Sequence, residues 1–238
     1  MITSTSARTG PHPNFYIVAL GASAGGLAAL TSFFEAMPPD SGLAFVVIQH
    51  LAPDFRSQMA ELLGRHTRMR VQEIEDGLPV APNHVFLIPP GKCLKISQGK
   101  LLLSDFDPGS GLNLPIDLFF RSLAEDQGER AIAIGLSGTG SDGTRGIRAI
   151  KELGGMVMVQ DEESAQFGGM PGNIISTGLA DFILPAAAMP EALLKFVNHP
   201  LIRPRRPVHL KVDETVLHKI AALVRTQTGI DFSAYKQS

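Results

Sequence analysis

The residue types that acyl transfer needs each stand behind an apolar run. Ser23 lies in Gly21-Ala22-Ser23-Ala24-Gly25-Gly26, directly after the run 15–20. This is the G-x-S-x-G pattern of a nucleophile elbow, where small neighbours let the backbone turn sharply and leave the hydroxyl exposed. A helix expected from Leu27 would add backbone N–H groups able to stabilise negative charge. A serine hydroxyl is a poor nucleophile near neutral pH and needs a base. His50, at the end of the second apolar run 43–48, is the candidate, whereas His66 falls on an expected surface helix. The base needs an acid to hold its tautomer and stabilise the imidazolium. Asp142, in the loop Ser137-Gly138-Thr139-Gly140-Ser141-Asp142-Gly143, and Asp161, at a later strand end, both fit that role. Each residue also has a plain structural explanation: a Gly-rich turn for Ser23, a satisfied strand-end histidine for His50, and an N-cap of the helix at Thr144 for Asp142.

The glycines around Ser23 also nearly fit the dinucleotide fingerprint G-x-G-x-x-G. Ser23 stands where that fingerprint has its second glycine and would crowd the pyrophosphate. The second strand ends in Gln49-His50, with no acid for the ribose.

The elements that must position these residues alternate. Strands are expected at 15–20, 43–48, 71–74, 84–88, 131–136, 156–159 and 182–184. Helices are expected at 27–36, 56–65, 115–127, 144–153, 172–177 and 190–197, and loops at 105–113 and 168–172. Residues 95–97 and 101–103 flank Gln98-Gly99-Lys100 as a hairpin. Continuous apolar strands between helices indicate an α/β fold: a doubly wound, mostly parallel sheet with helices on both faces and a small antiparallel hairpin. Ligands of such sheets sit beyond the carboxyl ends of the strands, where Ser23, His50 and Asp142 would converge.

Composition narrows the function classes. An apolar share of 44% over 238 residues suits a folded domain with a sizeable core. The net charge of −2 makes no electrostatic case for nucleic acid. The single cysteine, Cys93, can form neither an internal disulfide nor a multi-cysteine metal site, and points to a reducing compartment. The seven histidines lack metal-ligand spacing, and neither metal nor cofactor is implied. With no apolar run near 18 residues and no signal peptide, the expected location is the cytoplasm, without membrane insertion.

The segments IVALGASAGGLAAL, FVVIQHLAPDF, LPIDLFFRSLA, GLSGTGSDGTRGIRAIKELGG and VQDEESAQFGGMPGNII, in this order, resemble the catalytic domain of CheB-type protein-glutamate methylesterases. The resemblance implies a Ser23–His50–Asp142 triad that hydrolyses glutamyl methyl esters on the cytoplasmic helices of chemotaxis receptors, and deamidation of receptor glutamine by the same route. It makes the backbone N–H groups of Ala24 and Thr139 oxyanion candidates, and Gly169, Met170 and Pro171 substrate-pocket candidates. Ala24 stands where many members have threonine, Thr139 where they have methionine, and Ser137 replaces a threonine. The segment IPPGKCLKI lacks a histidine usual in the family.

These departures resemble the esterase part of hybrids that join it to a CheR-type methyltransferase. The expected organisation is a disordered N-terminus (1–14), a methylesterase catalytic domain (15–199), a Pro- and Arg-rich linker (200–212) and the truncated start of a helical CheR-like N-terminal domain (213–238). Leu217, Ile220, Ala221 and Val224 would share one face of its helix. No receiver domain precedes residue 15, so phosphorylation control in cis is not expected. The competing function is a non-catalytic regulatory or interaction module of a hybrid signalling protein.

Overall fold

The computed structural model describes residues 13–49, 59–105 and 114–199, all within the compact unit that ends at Ile202. His50, residues 106–113 of the expected loop, the expected linker, the expected helical tail and nearly all of the expected disordered N-terminus lie outside the described residues.

The apolar runs become the strands. In chain order these are β1 (Ile17–Ala22), β2 (Ala44–Gln49), β3 (Arg70–Glu73), β4 (Leu78–Pro79), β5 (His84–Leu87), β6 (Lys92–Ser97), β7 (Lys100–Asp105), β8 (Ala131–Gly135), β9 (Met156–Gln160) and β10 (Phe182–Leu184). The helices are α1 (Gly26–Ala36), α2 (Met59–Gly64), α3 (Pro115–Gln127), α4 (Gly146–Glu152), α5 (Gly169–Ile175) and α6 (Met189–Asn198). Seven strands form one sheet in the order β10-β9-β8-β1-β2-β5-β3, and every pairing in it is parallel.

Strand alternation divides the core between the two faces of this sheet. Val18, Leu20, Phe45, Val47, Ile132 and Ile134 face one way and pack with Phe33 and Phe34 of α1, Leu63 of α2 and Leu193 of α6. Ile17, Ala19, Val46, Ile48, Ala133 and Val157 face the other, toward Ile116, Phe119 and Phe120 of α3, Ile147 of α4 and Ile174 of α5. Strands covered on both faces have no polar side to show, which is why they read as unbroken apolar runs.

The smaller sheet has one strand more than the expected hairpin. β6 and β7 turn at Gln98 (φ 52°) and Gly99 (φ 70°), and β4 pairs antiparallel on the far side of β7. Two residues are too short to show alternation. A second difference is α5, which begins at Gly169 inside the stretch expected to be loop. Pro171 falls within its first turn, where a missing N–H costs the helix nothing.

The chain order reverses at β1. The strands β2, β5 and β3 lie on one side of it, and β8, β9 and β10 on the other. The crevice beyond the carboxyl ends of β1 and β8 is therefore the switch point at which such sheets bind ligands.

Candidate active site

Ser23 is the first residue after β1 and is half-buried at this switch point. Gly25 (φ 70°) turns the chain into α1, a left-handed conformation that favours glycine. Ser23 donates its N–H to the Ser137 carbonyl (3.0 Å) and accepts through its own carbonyl from Gly26 N–H (2.9 Å). A Cβ on Gly138 would stand 3.0 Å from Ser23 Cβ and 3.1 Å from the Met170 sulfur. The loop after β8 therefore runs directly against the Ser23 side chain, close enough that a side chain at position 138 would crowd Ser23 and Met170.

Ala22 is in register with Gln49 across β1 and β2. These are the residues immediately before Ser23 and His50. The Gln49 Oε1 atom is buried and has no hydrogen-bond partner among the described residues.

Asp142 is 3% exposed and stands over the first turn of α3. Its Oδ2 accepts from Ile116 N–H (2.9 Å), and its Oδ1 from Asp117 N–H (2.8 Å) and Gly143 N–H (2.9 Å). The expected cap thus exists but on a different helix: Asp142 caps α3, not the helix that follows it. That following helix, α4, is capped by Asp117, whose Oδ1 accepts from Arg145 N–H (2.9 Å) and Gly146 N–H (2.6 Å). Hydrogen bonds to a carboxylate contribute about 1.5–3 kcal/mol each, so the exchange holds both helix starts firmly. The other Asp117 oxygen is buried without a partner among the described residues. Burial pushes the Asp117 carboxyl above its usual range, and the neighbouring Asp142 adds to this against the pull of its backbone hydrogen bonds.

Asp161, the rival acid, is spent locally. Its two oxygens accept from the backbone N–H (2.9 Å) and the hydroxyl (2.8 Å) of Ser164. His66 pairs with Glu35 (2.7 Å) at the far end of α1, away from this edge.

The sequence marks Ser137 only as a replacement for a threonine, and it does not mark Phe167. Ser137 is 1% exposed, and its hydroxyl donates to the Ala24 carbonyl (2.9 Å) and accepts from Phe167 N–H (3.0 Å). Its own N–H goes to Gln160 Oε1 (2.9 Å), while Gln160 Nε2 holds the Ser164 carbonyl (3.1 Å). One hydroxyl thus ties the Ser23 turn, the end of β8 and the 161–168 loop together. Of the expected pocket residues, Gly169 is exposed, while Met170 and Pro171 are buried beneath it. Thr139 is exposed on the β8 loop, and Ala24 is half-buried in the first bend of the Ser23 turn.

Residues 18–193 match the CheB methylesterase family. The chain belongs to that family. The crystal structure of the Thermotoga maritima CheB methylesterase catalytic domain superposes with a TM-score of 0.70 at 34% identity, covering 76% of this chain and 98% of that one. Among sequence relatives, a protein-glutamate methylesterase/protein-glutamine glutaminase of Xanthomonas oryzae is 38% identical over 182 residues, 75% of this chain and 51% of the relative. One of the same name from Hydrogenovibrio crunogenus is 32% identical over 190 residues, 78% of this chain and 50% of the relative. The chain spans about half the length of these curated relatives. An uncharacterised 104.1 kDa protein of Rhodobacter capsulatus is 48% identical over 126 residues, which make up 13% of it. CheB methylesterases are hydrolases, and the two-faced parallel sheet with its small antiparallel sheet is the CheB methylesterase fold. No described helix is long and apolar enough to cross a membrane, and no described acid, histidine and cysteine cluster could hold a metal ion.

Proposed function

We propose that the chain hydrolyses glutamyl methyl esters of chemotaxis receptors with Ser23 as nucleophile, His50 as base and Asp142 as orienting acid. The observation that carries this is the register of Ala22 with Gln49 at the switch point. It sets the residues ahead of Ser23 and His50 side by side, while the β8 loop that bears Asp142 runs against Ser23.

Ser23 Oγ attacks the ester carbonyl and gives its proton to His50. Asp142 stabilises the imidazolium so formed, and its backbone hydrogen bonds keep it from turning away. The oxyanion is met by Ala24 N–H. The Ser23 carbonyl, on the same trans peptide, is tied to Gly26 N–H, so the Ala24 N–H points the opposite way, off the helix. Thr139 N–H is the second donor, and one such donor contributes roughly 3–4 kcal/mol to the transition state. His50 returns its proton to the departing methoxide, which leaves as methanol. Water, deprotonated by His50, then attacks the acyl-enzyme, and His50 passes that proton to Ser23 Oγ as it leaves, freeing Ser23 and glutamate. A glutamine amide passes along the same route with ammonia as the leaving group, as the glutaminase half of the relatives' names suggests.

The substrate-pocket assignment of Gly169, Met170 and Pro171 belongs to this reading. So does a fused or neighbouring CheR-type methyltransferase: the match to a small part of the 104.1 kDa protein is what one domain of a hybrid would give. Labelling by a serine-directed fluorophosphonate tests the nucleophile. Incorporation at Ser23 that is lost in Ser23→Ala supports the esterase; an unlabelled wild-type chain favours the non-catalytic module.

A further inference from the structure

Phe167 is an exposed aromatic residue held rigidly beside the Ser23 turn. Its N–H donates to Ser137 Oγ (3.0 Å), and its carbonyl accepts from Gly138 N–H (3.0 Å). Two residues on, Gly169 leads into α5, and Met170 N–H returns to the Gly138 carbonyl (2.9 Å). Gly138 is the residue whose Cβ position lies 3.0 Å from Ser23 Cβ. The preceding residue, Gln166, lies over the turn itself, with its side-chain oxygen 2.9 Å from the place a Gly25 Cβ would take. The 166–167 pair thus lies against the Ser23 turn, and its backbone is fixed on both sides of Phe167.

Phe167 stands apart from the other described aromatic residues. Every other described tyrosine and phenylalanine is buried or half-buried, whereas Phe167 is 41% exposed. The other large exposed apolar side chains lie elsewhere: Leu102 on β7, Leu153 at the far end of α4, and Ile183 on the edge strand β10. An aromatic ring has little rotamer entropy to lose, and here its backbone is already ordered, so it is a favourable anchor for a partner.

We infer that Phe167 is a specificity-determining residue, whose ring packs against apolar side chains of the protein substrate next to the esterified glutamate. A small free ester reaches Ser23 without touching such a ring, whereas a glutamyl ester carried on a helix brings neighbouring side chains with it. Phe167 therefore selects protein esters over small ones. The inference rests on the esterase reading above.

The experiment compares wild type, Phe167→Ala, Phe167→Tyr and Ser23→Ala on two substrates: a methylated helical receptor fragment and p-nitrophenyl acetate. Phe167→Ala is expected to raise KM for the fragment about tenfold, the effect of losing an aromatic anchor. Its kcat on the fragment, its kcat/KM on p-nitrophenyl acetate and its Tm should stay at wild-type values, and Phe167→Tyr should restore the fragment KM. Equal losses on both substrates would make Phe167 a structural residue and overturn the inference, as would an unchanged KM for the fragment. A wild-type chain that turns over neither substrate, or a Ser23→Ala chain as active as wild type, would overturn the esterase reading itself.

Discussion

Asp117 and Asp142 exchange helix caps: Asp142, ahead of α4, holds the first turn of α3, and Asp117, in α3, holds the first turn of α4. The two carboxylates lock the β8 loop to α3 and so fix the position from which Asp142 would meet the base. Asp117→Ala leaves the Arg145 and Gly146 N–H groups without their acceptor and should cost about 1–3 kcal/mol in denaturant unfolding. Asp117→Asn keeps that acceptor and should stay close to wild type in acid, below the ordinary carboxyl pKa of 3.8.

The same pair predicts a pH dependence. The folded chain binds a proton at Asp117 more tightly than the unfolded chain, because burial raises its pKa above the ordinary 3.8. Stability from this group is therefore fully present below 3.8 and is lost as pH rises through the raised folded-state value. Unfolding free energies measured over a pH series should show this loss in wild type relative to Asp117→Asn. Parallel curves for the two chains would contradict it.

Asp142 and Asp161 separate by turnover. Asp142→Asn turns an amide donor toward one of the backbone N–H groups and should cost about 1–3 kcal/mol of stability, while in the folded chain it should cut kcat by about 10⁴, as in other serine triads. Asp161→Asn, which alters only a local turn with Ser164, should leave kcat within a factor of about two, the scale of a surface change. The reverse pattern would move the orienting role to Asp161.

Ser137 should matter through the Ser23 turn. Ser137→Ala removes the hydroxyl between Ala24 and Phe167 and leaves both backbone groups without that partner. A loss of about 1–3 kcal/mol in stability is expected, with kcat falling and KM for small esters little changed. Ser137→Thr keeps the hydroxyl and should recover most of the rate.

The sequence carried most of the fold because the strands are buried on both faces and the helices are punctuated by glycine and proline. The run 131–136 and the helix 115–127 were both plain in that way, and Ser23 was marked by its glycines. What escaped was non-local. Nothing near Asp142 says that its carboxylate turns to α3, 25 residues upstream. Nothing near Ser137 says that its hydroxyl spans to Ala24 and Phe167. Nothing in the sequence distinguishes Phe167 as an exposed aromatic residue. The strand β4 and the early start of α5 were hidden by shortness and by the turn signals of Gly168-Gly169-Met170-Pro171-Gly172.

The domain boundary has its own test. If residues 213–238 begin a separate domain, deleting 200–238 should leave the unfolding free energy of the rest unchanged within about 0.5 kcal/mol. A larger loss would place the tail in the catalytic domain. Raised esterase activity at unchanged stability would indicate that the tail restrains the site.

The most direct measurement of the central claim is methanol release from methyl-esterified receptor fragments, by wild type and by Ser23→Ala. Wild type should release methanol in step with the appearance of glutamate carboxylates, and Ser23→Ala should fall by about 10⁶, the effect of losing a triad nucleophile. Methanol release that survives in Ser23→Ala, or none from wild type, would contradict the account.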